Sequence, residues 1–322
     1  METPAANDET EPASSKSQFL FSILFLSVLL LLLPSCKEVK KEVKKEQPVT
    51  VIDSAFIKQQ LQQKMADSTA KEVVPKKKIY LTFDDGPNKG TLNVLNAVKE
   101  DSIPASFFIV GTHVDDSPEQ SATFQLLQED STIELCNHSY THANNHYAKY
   151  YQHPGEVVKD FKKNKEELRF DNNVARMPGR NAWRIDSVNH TDIKESEATI
   201  DSVRHAGFAV MGWDVEWIFD HKNLSLTTDT DLLLRQIQNM LETGKTKTSG
   251  HLVMLAHDQA FRSEASVEQL HYLFRQLKNN PDYELVLAEN YPGVKAACTY
   301  KESIIPKMNI NLSPGRLQPG TK

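Results

Sequence analysis

Ile79-Tyr80-Leu81-Thr82-Phe83-Asp84-Asp85-Gly86-Pro87 is the stretch from which the rest of the chain can be read. Its first five residues are β-branched, aromatic or apolar, the composition of a buried strand. Two adjacent carboxylates arrive as the strand stops, and Gly86-Pro87 turns the chain away. Side-by-side acids are costly, because each raises the pKa of the other. Alone, the stretch also reads as a solvated Asp-Asp-Gly-Pro turn; histidines further along favour a site that uses both charges.

Outward from this strand, apolar strand-like runs alternate with amphipathic helix-like ones. The expected strands are Ile79–Phe83, Ala105–Val110, Ile133–Cys136, Val174–Met177, Phe208–Trp213, Leu252–Ala256 and Glu284–Leu287. Helices are expected at Thr91–Lys99, Pro118–Glu129, Pro154–Leu168, Glu195–His205, Asp229–Leu241 and Ala265–Leu277. Regular β-then-α alternation predicts a parallel sheet with crossover helices. About seven such units suit an α/β fold, a distorted (β/α) barrel with one strand fewer than the usual eight. An open doubly wound sheet is the alternative.

The chain has 322 residues and a formal net charge of −6, without a basic patch interleaved with aromatics, which argues against nucleic acid as a partner. Three cysteines are too few for a disulfide scaffold. Phe19–Leu33 is apolar, short for a membrane span but suited to a signal-peptide core. It runs into Leu33-Pro34-Ser35-Cys36, which resembles the bacterial lipobox, where a signal peptidase cuts before a cysteine that is then acylated. Pro34 and the acid-rich Met1–Gln18 depart from that pattern, and an uncleaved anchor is the alternative. The expected organisation is a signal or anchor (1–36), a flexible linker (37–76), a catalytic domain (77–292) and an irregular tail (293–322). The protein is thus expected in the cell envelope, held to the membrane by an N-terminal lipid or anchor and facing away from the cytoplasm. About 40 residues of flexible linker reach roughly 35 Å, far enough to work on a polymer beyond the membrane surface.

In barrels of this kind, functional residues gather at the carboxyl ends of strands. Asp84 and Asp85 end the first expected strand, His138 and His142 follow the third, and Arg176, Pro178, Gly179 and Arg180 end the fourth. Trp213, Asp214, Glu216 and Trp217 end the fifth, and His257 and Asp258 the sixth. His138 and His142 are four apart, so on one helical turn they share a face and can bind one cation. With an Asp from a neighbouring strand they make a two-His-one-carboxylate site that suits zinc or another first-row divalent ion.

Thr82-Phe83-Asp84-Asp85-Gly86-Pro87, His138-x-x-x-His142, Arg176-x-Pro178 and Leu255-x-His257 occur in the order and spacing of the polysaccharide deacetylases, carbohydrate esterase family four, which the chain resembles from about Lys77 to Leu287. The resemblance implies a distorted (β/α) barrel that removes acetyl groups from a glycan. It implies Asp85, His138 and His142 as ligands of one divalent metal ion, zinc with cobalt or nickel as alternatives. Asp84 matches the general base, Arg176 the arginine paired with it, and His257 the general acid. The backbone N–H of Gly179 matches a donor to the oxyanion, and Leu255 a wall of the acetyl pocket.

Two departures stand out. The family usually has an aromatic where Gly179 stands, so a stacking wall there is missing or supplied by Trp183. The compressed Trp213-Asp214-Val215-Glu216-Trp217 leaves two acids to tune His257, of which Asp214 is favoured over Glu216; Trp217 is expected to stack on a sugar ring or to pack. Cys136 reads as a core thiol, with a fourth metal ligand or a pairing with Cys298 as alternatives. His113, His146, His153, His205 and His251 read as surface or packing residues. The expected activity is removal of N-acetyl groups from an amino-sugar polymer, peptidoglycan or a chitin-like glycan. The alternatives are an O-acetyl esterase acting on a glycan such as xylan and an inactive glycan-binding lipoprotein.

Overall fold

The structure is a computed structural model and describes residues 54–69 and 75–298. The expected signal or anchor, most of the linker and everything after Cys298 lie outside these residues. Two compact units divide the chain, Met1–Lys71 and Glu72–Lys322. In the first, Ser54–Thr69 is a helix with Phe56 and Leu61 exposed, overlapping the polar linker. Among the described residues, no helix is long and apolar enough to cross a membrane.

The second unit is built on a ten-stranded mixed sheet of half-barrel form. Its strands are β1 Lys77–Gly86, β2 Ala105–Ile109, β3 Ile133–Asn137, β4 Val174–Ala175, β5 Ala182–Ile185, β6 Val188–Thr191, β7 Ala209–Val210, β8 Val215–Glu216, β9 His251–His257 and β10 Tyr283–Leu285. The spatial order is β6-β5-β7-β4-β3-β2-β1-β9-β8, with β10 also pairing β1. All pairs are parallel except β5 with β6 and with β7. The hydrogen-bonded ladder stays open, and residues 211–214 carry the chain across from β7 to β8. Along that crossing Met211 N–H donates to Ala175 O at 2.8 Å and Asp214 N–H to Val253 O at 2.9 Å.

Each of the seven expected strands and six expected helices has a counterpart. The hairpin β5–β6 and the short β8 were not expected. All four side chains of β5 are buried, so the period-2 alternation that marks a half-buried strand is missing there. Helix starts follow local chemistry: Asp229 accepts from Asp231 and Leu232 N–H, and Ser117 caps a helix that begins with Pro118.

The parity of the strands sorts side chains into two populations. Ile79, Leu81 and Phe83 of β1, with Leu252, Met254 and Ala256 of β9, face the core that includes buried residues of helices Thr91–Asp101, Thr230–Thr243 and Glu264–Asn279. Tyr80, Cys136, Val174 and Val253 belong to a second core with Phe108, Trp183 and Tyr291. Period 2 then puts Asp84 in the column of Tyr80 and Thr82, His138 in that of Cys136, Arg176 in that of Val174, and Leu255 and His257 in that of Val253.

The second core also takes Val294 and Ala297 from the helix Val294–Cys298, so the segment expected to be irregular from 293 begins with packed structure. Cys136 and Cys298 are free thiols, and burial pushes the Cys136 thiol well up from its ordinary value. Val294→Ala is expected to cost about 2 kcal/mol, the transfer free energy of the methyl groups removed. The check is a fall in urea midpoint at constant m-value; an unchanged midpoint would put this helix outside the cooperative core.

Candidate metal centre and cleft

β1 delivers Asp84 into the barrel and Asp85 beyond it by different means. Asp84 keeps the strand's parity, 2 % exposed, with His257 beside it in register on β9. Asp85 should point the opposite way, but its φ is 72° and the register against β2 slips between Asp84 and Gly86. The bulge turns the second carboxylate back toward the same cleft, a conformation that Asp tolerates better than most residues.

His138 and His142 do not share a helical turn. β3 ends at Asn137, Ser139 has φ 67°, and a short 3-10 stretch begins only at His142. The i, i+4 spacing is real, but left-handed backbone rather than a helix brings the rings together, with centroids 5.0 Å apart. Asp160 holds the loop by accepting from Thr141 N–H and Oγ1–H and from Tyr150 Oη–H.

One ligand atom each from Asp85, His138 and His142 lies within 4.8 Å of the others. Asp85 Oδ1 is 3.4 Å from His138 Nε2 and 3.1 Å from His142 Nε2, yet this buried oxygen lacks a properly directed hydrogen bond. An orphaned buried carboxylate oxygen facing two imidazole nitrogens fits a divalent cation, and the N,N,O donor set suits zinc or a first-row neighbour. His138 Nδ1–H donates to Arg176 O at 2.9 Å, which leaves Nε2 on the Asp85 side. Burial pushes the Asp85 carboxyl up, but His138, His142 and the charge of His257 outweigh it and hold it well below the usual carboxylate range. Burial opposes a charge on His138, and the neighbouring Asp84 and Asp85 more than compensate, so its pKa is raised.

Arg176 is fully buried and makes four hydrogen bonds: to Asp84 Oδ1 at 2.7 Å, Thr82 Oγ1 at 2.8 Å, Met211 O at 3.2 Å and Gly212 O at 2.9 Å. Gly212 leaves room for its other neighbours, since a Cβ there would sit 2.1 Å from Asn181 Oδ1 and 2.5 Å from Trp183 Nε1. Asp84 Oδ2 remains turned toward His138 Nε2, 3.7 Å away.

The cleft has a volume of about 650 Å³, and Asp84, Asp85, His138, His142, Gly179, Leu255 and His257 all line it. One expectation fails, and two open alternatives are decided. Asp214 does not reach His257: its oxygens accept from the N–H groups of Lys247 and Val253 at 2.8 Å each, and burial raises its pKa. Glu216 does face His257, with Oε1 3.9 Å from Nδ1, because β8 restarts strand parity two residues later. Trp217 is fully buried against Phe261, donating to Thr228 O at 2.9 Å, so it cannot stack on a sugar. Trp183 is buried too, its indole N–H on Asn181, and supplies no wall.

Several lining residues had no site role assigned from the sequence. Trp213 is the tryptophan that reaches the cleft. His113, read as a surface or packing residue, lines it too and donates from Nδ1 to Asp85 O at 2.8 Å. Tyr147 and His221 complete the aromatic part of the lining. Asp258 lies beneath the acids, where burial pushes its carboxyl up to about 7 against hydrogen bonds from Thr91 and Asn88.

Residues 71–178 match the family model described as polysaccharide deacetylase, a span that holds Asp84, Asp85, His138, His142 and Arg176. The chain is also similar to the chitin disaccharide deacetylase of Vibrio alginolyticus, 24% identical over 230 residues, covering 51% of this chain and 54% of that protein. The peptidoglycan-N-acetylglucosamine deacetylase of Bacillus cereus is 28% identical over 193 residues, covering 60% of this chain and 63% of that protein. The chain thus spans less than two thirds of the length of these two relatives. A solved polysaccharide deacetylase structure from Bacillus cereus aligns at 26% identity over 67% of this chain and 95% of its own, with a TM-score of 0.47.

Arg176→Met is expected to destabilise the fold by roughly 3–5 kcal/mol, because it leaves the Asp84 carboxylate buried without its partner. Adding Asp84→Asn should recover part of that loss in the same denaturant titration. A single variant as stable as the parent would mean that the pair does not hold the barrel interior together.

Proposed function

We propose that this chain is a divalent-metal-dependent hydrolase that removes N-acetyl groups from an amino-sugar polymer, peptidoglycan or a chitin-like glycan. The observation that carries this reading is the convergence of Asp85, His138 and His142 beside Asp84 and His257 on one cleft. A binding protein has no need for an acid and a base flanking the three donors. Relatives named for chitin and peptidoglycan substrates support the choice of an N-acetylated glycan.

Asp85, His138 and His142 would hold the cation, which supplies Lewis-acid polarisation of the acetyl carbonyl when bound. Asp84, oriented by Arg176, takes a proton from the attacking water through Oδ2. The N–H of Gly179 donates to the oxygen on which negative charge develops. Leu255, at the mouth of the barrel interior, walls the acetyl methyl. His257 passes a proton to the departing sugar amine, with Glu216 setting the electrostatics at its Nδ1. Trp213 is the aromatic surface available to a sugar face.

Acetate release from N-acetylated oligosaccharides and from acetylated xylan, with and without chelator, tests the reading. Release from the N-acetylated substrates should vanish with chelator and return with zinc, and Asp84→Asn should lower turnover at least about 100-fold while zinc still binds. Near-normal rates in Asp84→Asn would remove the base assignment, release from xylan alone would make the enzyme an O-acetyl esterase, and no release from any substrate would leave a glycan-binding protein.

We also propose envelope attachment through an acylated Cys36, on the strength of the apolar run and lipobox-like residues before it. Mass spectrometry of the native protein should show a diacyl or triacyl mass at an N-terminal Cys36; an unmodified Cys36 would refute it.

A further inference from the structure

The two histidines that face Asp85 are braced differently behind their ligating edges. Behind His138 stands a backbone carbonyl, Arg176 O, which can only accept, so the proton sits on Nδ1. Behind His142 stands a hydroxyl, Tyr147 Oη, 3.4 Å from Nδ1, and the two rings meet edge-on with centroids 5.7 Å apart. A hydroxyl can donate to a bare Nδ1 or accept from a protonated one, and only the second arrangement frees Nε2 as a ligand.

The backbone at His142 cannot supply what a helix would. His142, Ala143, Asn144 and Asn145 have φ of 48°, 58°, 46° and 59°, four consecutive left-handed residues none of which is glycine. Aim of the imidazole therefore depends on what packs against the ring. Tyr147 also reaches the opposite wall, where a Cβ built on Gly179 (φ 63°) would lie 3.1 Å from Tyr147 Cε1 and 3.3 Å from Cδ1. Tyr147 thus spans the ligand loop and the turn at Gly179, occupying the space into which a side chain at 179 would project.

The geometry points to Tyr147 as a positioning residue: its hydroxyl sets the proton and orientation of His142 so that Nε2 serves the metal centre, while its ring braces the Gly179 turn. This rests on the reading that Asp85, His138 and His142 hold a cation. It adds a residue from a segment that the sequence motifs do not include.

Cobalt(II) is the probe, titrated into the chelator-treated full chain and followed by its visible absorption. Tyr147→Phe, which keeps the ring over Gly179, should weaken cobalt binding about tenfold, at the lower end of the effect expected of a group that orients a ligand. Its thermal midpoint without metal should match that of the parent. Imidazole nitrogen NMR of the two metal-free proteins should show the His142 proton on Nδ1 in the parent, and a reduced population of that tautomer in Tyr147→Phe with His138 unchanged. Equal cobalt affinity in parent and variant would overturn the assignment, as would a loss of affinity matched by a loss of thermal stability with the His142 tautomer unmoved. If the parent itself fails to bind cobalt, the metal-centre reading falls, and this inference falls with it.

Discussion

A guanidinium with no access to water organises this barrel. Arg176 ties Asp84 and Thr82 on β1 to the carbonyls of Met211 and Gly212 on the segment that crosses from β7 to β8. The free edges of the sheet are β6 and β8, and this one side chain anchors the segment that leads into β8. A buried pair of this kind is weak evidence for extra stability, because desolvation offsets much of the attraction. Its consequence is positional: the Asp84 carboxylate has one oxygen committed and the other turned to the cleft.

The cleft itself follows from strand parity and one deliberate violation of it. Asp84, His138, Arg176 and His257 extend inward-facing columns whose earlier members are core residues. Placement at the carboxyl ends of those columns puts them at the mouth of the barrel without special backbone geometry. Asp85 breaks the alternation, and a bulge with positive φ turns it back. Two neighbouring acids thereby divide their tasks, one against Arg176 and the other against two imidazoles.

That division also answers how so many acids coexist in one place. Arg176 faces Asp84, and His138 and His142 face Asp85. Asp258, just below, has its carboxyl raised by burial into the neutral range and accepts from Asn88 and Thr91. Negative charge is thus concentrated on the side where the three donors meet, the condition under which a small divalent ion is favoured over protons on the imidazoles.

Much of this was legible in the chain. Alternation of apolar runs with amphipathic ones located each of the seven expected strands and six expected helices, because both periodicities are written into single elements. Side chains at strand ends, such as Asp84 and His257, were legible for the same reason. The β5–β6 hairpin was not, since all four β5 side chains are buried and leave no alternation to read. Asp214 against Glu216 turned on where β8 begins, directly after a crossing that only its backbone partners on β4 and β9 define. Trp217 and Trp183 look like sugar platforms until neighbouring elements cover them, while Tyr147 carries no motif and matters through what lies beside it. Composition and periodicity by themselves determined that the chain makes a mostly parallel α/β sheet with acids and imidazoles at its strand ends. Tertiary structure alone decided which of them meet, because positive-φ backbone at Asp85, Ser139 and His142 redirects side chains in ways that depend on packing from distant segments.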